Sequence, residues 1–222
     1  MRLLPCLLVI SLGLAVLRAE EEPKALPTWT EMMAKGIVPY HQLTVDDFRV
    51  NDQAHPKDGF YIQPSISPQY HFILKSYNGF IFAAVDQWVI FSGLNKNGTS
   101  RKSTFKEMKT HLPYAQAVLD LNETCARKIA AVLPGELPSV RAESSEAAET
   151  QLRQKIGAFL DAKYKENETE VDAFAKATDH GANMKKVRTL AAEIRKRLDQ
   201  TPAATVPFPE TAPPAASPSP AK

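Results

Sequence analysis

At Thr104 the chain changes period, and that change decides its fold class. Upstream lie "GFYIQ" from Gly59, "YHFILKSY" from Tyr70 and "GFIFAAVDQWVIFSGL" from Gly79. All three are rich in aromatic and β-branched residues and are punctuated by Pro, Asn and Gly, the signature of strands and turns. Asn78-Gly79 suits a tight hairpin with positive φ at both central residues. "LTVDDFRV" (43–50) reads as a short strand or turn whose Leu43 and Phe48 plug the core, with Asp46-Asp47 in a turn and capping role. Residues 95–103 form a polar loop.

Downstream the apolar residues recur at helical spacing. A helix is predicted over about 104–132, with Pro113 either breaking it or starting a second one. Others follow over 143–165, 169–177 and 184–198, with a connector at 133–139 and a turn at 179–183. The expected fold is α+β: a small, mostly antiparallel sheet from residues 43–93, followed by three or four helices.

The two ends read differently. Arg2, an apolar run from Leu3 to Leu17 and the small residue Ala19 read as a secretory signal peptide over residues 1–19. The run is shorter than the ~20 apolar residues that span a bilayer, so no transmembrane segment is expected after cleavage; an uncleaved anchor is the alternative. Residues 20–39 are charged and irregular and read as a leader, which leaves 40–200 as the folded domain. Seven of the 17 prolines fall in residues 201–222, a disordered or polyproline-like extension that either crosses a cell-wall layer or is an unselected tail.

Cleavage would remove Arg2 and Arg18, taking 27 basic residues to 25 against 25 acidic ones. A mature net charge near zero gives no basic excess for nucleic acid or an anionic membrane. It would also remove Cys6, leaving Cys125 without a partner for an internal disulfide. A packed core must then carry the stability. Cys125 lies on an apolar helix face and reads as a buried, inert thiol.

That face runs through Tyr114, Val118, Leu121, Cys125 and Ile129. Around it the sequence has "LTVDDFR", then Gln116, Asp120, Glu123 and Ala126-Arg127-Lys128 on one helix, then "TDHG" (178–181). In this order the motifs resemble domain-of-unknown-function family 922, a bacterial family described as predicted secreted zinc-dependent proteases. The likeness covers roughly residues 40–198 and implies a zincin-like fold. The family's helix carries H-E-Q-G-H, and here its two histidines fall on Tyr114 and Val118, its glutamate on Ala115 and its glycine on Ala117. Val45 stands in place of the family's usual tryptophan, and Val171-Asp172 or Phe174 in place of its tyrosine-aspartate pair.

A catalytic zinc needs about three protein ligands and an open position for water, with a nearby carboxylate to take the proton as that water attacks. Val118 cannot ligate and Ala115 cannot accept a proton. His180, with Asp179 and Glu123, is at most a remnant of such a site, and no catalytic residue, metal or cofactor is expected. The resemblance therefore implies a degenerate, catalytically inactive relative, secreted or periplasmic, with a binding or structural role toward an envelope protein or cell-wall component.

Two other readings stand beside it: a hydrolase with an unrecognised site around His111, His180 and Glu123, and an envelope protein unrelated to proteases. The five histidines lie at least fourteen positions apart in sequence, and no Walker loop, G-x-S-x-G or G-x-G-x-x-G is present. The N-x-T triplets at Asn97, Asn122 and Asn167 read as chance matches. Trp88 reads as core, and His180-Gly181 as a helix terminator.

Overall fold

The computed structural model describes residues 26–53 and 59–203. The segment read as a signal peptide and the tail beyond residue 203 lie outside the described residues.

The fold is α+β, built around one long strand. β5 (Phe80–Asn95) pairs antiparallel with β4 (Pro64–Tyr77) along its whole length. The two are joined by Asn78 and Gly79 at φ 50° and 76°, both positive as a two-residue hairpin turn requires. On its other edge β5 pairs antiparallel with β1 (Ile37–Pro39) at one end and β7 (Ser139–Ala142) at the other. A second, small sheet joins β2 (Arg49–Val50), β6 (Ser100–Arg101) and β3 (Phe60–Tyr61); its β2–β6 pair is parallel.

One residue keeps the long hairpin apolar on one side. Phe72 faces Val85 and His71 faces Gln87, which leaves Asp86 as an extra residue, hydrogen-bonded to His71 Nδ1 at 2.7 Å. Such a bulge shifts the alternation by one. The core-facing set therefore moves from Ala83 and Val85 to Trp88, Ile90 and Leu94.

Helices α2 (Met108–Ala130) and α3 (Ser145–Ala177) cover that face. Ala126 and Ile129 of α2 meet Ile90, while Ala115 and Leu119 meet Leu94 together with Leu43 and Phe48. Ala148, Leu152 and Ile156 of α3 meet Ala83, Val85, Val140 and Ala142. Helix α4 (Met184–Gln200) lies against α2. Phe91 points to the opposite face, where Trp29 and Met32 of α1 (Trp29–Ala34) cover it, the Trp29 ring standing edge-on at 4.9 Å.

Four sequence expectations need correction. Part of the presumed leader is core: Thr28 and Glu31 form a capping box that starts α1, and β1 adds to the main sheet. Helix α2 runs through Pro113 without breaking, because packing on both sides outweighs the one backbone bond that Pro removes. The helices expected at 143–165 and 169–177 are a single helix, α3; Asn167 sits inside it with its side-chain amide donated to Asn122 Oδ1. The connector before α3 contains β7, whose alternation over four residues is too short to stand out. Among the described residues no helix is long and apolar enough to cross a membrane.

Two glycine substitutions separate close packing from helix propensity. A methyl on Gly93 would overlap the Val38 carbonyl oxygen of the paired strand, so Gly93→Ala is expected to lower the unfolding free energy by ~2–3 kcal/mol. Gly157 lies within α3 with open space at its Cβ position, so Gly157→Ala should add ~0.5–1 kcal/mol. Urea denaturation measures both.

Candidate functional site

Helix α2 carries two stripes on opposite faces, and they do different work. At ~100° per residue, Tyr114, Val118, Leu121, Cys125 and Ile129 fall on one side. Gln116, Asp120, Glu123 and Arg127 fall on the other.

The apolar stripe holds the positions where the resemblance would put zinc ligands. Val118 is 7% exposed and packs with Ala117, Leu121, Phe174 and Ile194; Ala115 is fully buried beside Leu43, Leu94 and Leu119. The Tyr114 ring stacks on Phe174 at 5.3 Å. A Cβ on Gly181 would come within 3.1 Å of the Tyr114 ring, so the "TDHG" turn does sit against this part of α2. Carbon fills the space between them.

The turn itself is a helix terminator. Asp179, His180 and Gly181 all have positive φ, at 52°, 49° and 90°. Thr178 is buried and donates its hydroxyl to the Phe174 and Ala175 carbonyls, while its own carbonyl accepts from the Asn183 amide. Asp179 and His180 point to solvent. Glu123 lies nine residues beyond Tyr114, about 13 Å along the helix and on its far side, so it does not join His180.

His111 sits in an aromatic cluster, 5.3 Å from Phe105 and 5.6 Å from Phe60 between ring centres. Among the described residues no group of three His, Cys, Asp or Glu side chains stands where it could hold a metal ion.

The polar stripe is a clasp. Gln116 Oε1 accepts from the Leu43 amide at 2.7 Å and from Gln42 Nε2 at 3.0 Å, and Gln116 Nε2 donates to Asp120 Oδ1 at 2.7 Å. The Tyr40 hydroxyl donates to the same Asp120 oxygen at 2.6 Å and accepts from Arg195 of α4 at 2.7 Å. Burial, reinforced by the Asp120 carboxylate, pushes the Tyr40 phenol well above its ordinary value, so it stays protonated as a donor. Farther along, Glu123, 2% exposed, binds Arg127 Nε at 2.7 Å. Arg127 then donates to the Leu198 and Thr201 carbonyls at the end of α4. The stripe ties α2 to residues 40–43 on one side and to α4 on the other.

Asp47 completes the N-terminal part, accepting from the Thr44 amide at 2.8 Å and hydrogen-bonding His41 Nε2 at 3.0 Å. This is the turn and capping role expected of it. Burial alone would raise its carboxyl, but the Thr44 and His41 hydrogen bonds outweigh that and hold it below the usual range. The Cys125 thiol is pushed up to about 11 by burial and stays an inert packing group.

The three N-x-T asparagines are structural. Asn97 donates to the Lys35 carbonyl and Asn122 to the Val118 carbonyl, and Asn167 donates to Asn122. A glycan on the side-chain nitrogen of any of them would displace a hydrogen bond.

A wide concavity lies elsewhere. An open groove of about 830 Å³ runs between α3 and α4, over Leu121, Phe174 and Ile194, with Glu170 and Arg197 at its rim. It continues past Ala177 and Leu190 toward Lys185 and Lys186. No sequence motif pointed to it, because its walls are the outward faces of two helices that meet only in the fold.

No family model, characterised protein or solved structure matches this chain.

Three substitutions test these assignments by denaturant unfolding. Arg127→Ala strands the buried Glu123 carboxylate and should cost ~3–5 kcal/mol, whereas the paired change Glu123→Leu with Arg127→Met should cost much less. Val118→His places a polar ring among apolar neighbours and should cost ~1–3 kcal/mol; unchanged stability would mean that the position is open. Because the Asp47 pKa is lowered on folding, its contribution is present above about pH 4 and is withdrawn as pH falls through the folded-state value. Asp47→Asn should therefore lose stability at neutral pH, with the difference from the parent shrinking in acid.

Proposed function

We propose that this chain is a secreted or periplasmic protein, a catalytically inactive relative of the zinc-dependent proteases it resembles, that has kept the fold for a binding or structural role at the cell envelope. One observation carries the reading. The positions corresponding to both histidines and the glutamate are built into the apolar packing, while Gln116, Asp120, Glu123 and Arg127, which match the same motif, are all engaged in holding the helix.

Loss of the metal alone would leave histidines needing other hydrogen-bond partners in a dry interior. Val118 removes that need by replacing imidazole with apolar contact, and the Tyr114 ring stacks on Phe174. Ala115 likewise replaces a carboxylate that would be buried without a cation or proton to serve. Retention of the opposite stripe has a different basis: Gln116, Asp120, Glu123 and Arg127 fix the position of α2 against residues 40–43 and the end of α4.

The test is metal content and turnover on the same preparation. Protein purified without chelator is expected to hold far less than one zinc per chain and to leave an unfolded protein substrate uncut. Stoichiometric zinc lost on His180→Ala, or chelator-sensitive cleavage, would overturn the reading. Export is tested separately by N-terminal sequencing of secreted material, which should begin at Glu20.

A further inference from the structure

We propose that the groove between α3 and α4 is a docking site for an extended, proline-rich segment, and that its occupant is residues 204–210 of the same chain, "ATVPFPE". The inference goes beyond the protease reading and does not depend on it.

The groove offers apolar surface that the described residues leave open. Ala173 and Ala177 are exposed and Leu190 is half-buried, above a floor of Phe174, Ile194 and Leu121. The described chain stops at Ala203, three residues after Gln200, which itself lines the groove. The segment that follows therefore starts at one end of the site.

Composition singles out part of that segment. Residues 204–222 contain only two large apolar side chains, Val206 and Phe208, and a single carboxylate side chain, Glu210. Val206 and Phe208 each precede a proline, which biases both toward extended backbone. Two extended residues at i and i+2 point to the same side. A chain already restricted in this way gives up less entropy on docking, which is why proline-rich peptides serve as groove ligands.

The lengths also agree. From Gln200 back to Ile194 is six helical residues and to Leu190 ten, about 9 and 15 Å at ~1.5 Å each. From Gln200, Val206 and Phe208 lie six and eight residues on, up to about 20 and 26 Å of extended chain at ~3.3 Å each, enough to turn and reach those positions. A segment turning back along α4 would bring Val206 to Ile194 and Phe208 to Leu190. Glu210, ten residues from Gln200 and up to about 33 Å of extended chain, would reach Lys185 and Lys186, fourteen to fifteen helical residues from Gln200, or about 21–23 Å. Apolar residues then meet the apolar part of the groove, and the carboxylate meets its basic end.

The test is a proximity measurement on the full chain. With Cys6→Ala and Cys125→Ala as background, Glu210→Cys and Lys186→Cys are introduced and mildly oxidised. The expected product is a disulfide within one molecule, formed at a rate independent of protein concentration. Adding Val206→Ser and Phe208→Ser should slow it at least about tenfold, since a merely tethered cysteine retains only its linker-limited effective concentration. Lys186 is exposed and outside the α2 clasp, so its replacement leaves the core intact. An equal rate with and without Val206 and Phe208 would overturn the proposal. So would a disulfide found only between molecules, which would assign the groove to a second copy.

Discussion

Helix α2 is buried on two opposite faces, and the structure depends on how its polar face is satisfied. A buried carboxylate costs several kcal/mol unless it is paired and hydrogen-bonded. Glu123 is paired with Arg127, and Arg127 is held in turn by two backbone carbonyls at the end of α4. Asp120 is shared by Gln116 and Tyr40, and Tyr40 is held by Arg195. Gln116, Asp120 and Arg127 are thus fastenings between α2 and elements far away in sequence, while Glu123 acts through Arg127 and keeps one buried oxygen, Oε2, without a hydrogen-bond partner. Such fastenings fix position more than they add stability, since apolar residues of similar volume could fill the same space.

With α2 held in place, the opposite face is defined. Tyr114 is brought against Phe174 and the turn at Gly181, and Val118 against Ile194. An enzyme would use that convergence of a helix with a turn to gather ligands. Here the same convergence buries aromatic and aliphatic carbon. The proposed role therefore shifts from the enclosed interior to the outer surface, where α3 and α4 leave an open groove.

The sequence made the long patterns legible and hid the short or distant ones. The 78–79 hairpin was readable because Asn-Gly sits between two strongly β-forming runs. Leu43 and Phe48 were readable as core, and the stripe from Tyr114 to Ile129 as a buried face, because apolar spacing alone specifies them. Helix α1 carried a signal in Thr28-x-x-Glu31, but its charged surroundings masked it. Helix α3 looked divided around Asn167, whose hydrogen-bond partner, Asn122, is 45 residues away. The clasp was invisible for the same reason. Gln116 and Arg127 meet partners more than 70 residues distant, and nothing in their local spacing separates a buried fastening from a solvated edge.

The central claim is that the site is closed at Val118, and thiol labelling of Val118→Cys in a Cys6→Ala, Cys125→Ala background measures this most directly. If carbon seals the position, a small thiol reagent reacts only when the whole protein unfolds, and the free energy of opening matches that of global unfolding for the same variant. Rapid labelling under native conditions, at a cost well below global unfolding, would reveal an accessible cavity beside the "TDHG" turn and contradict the account.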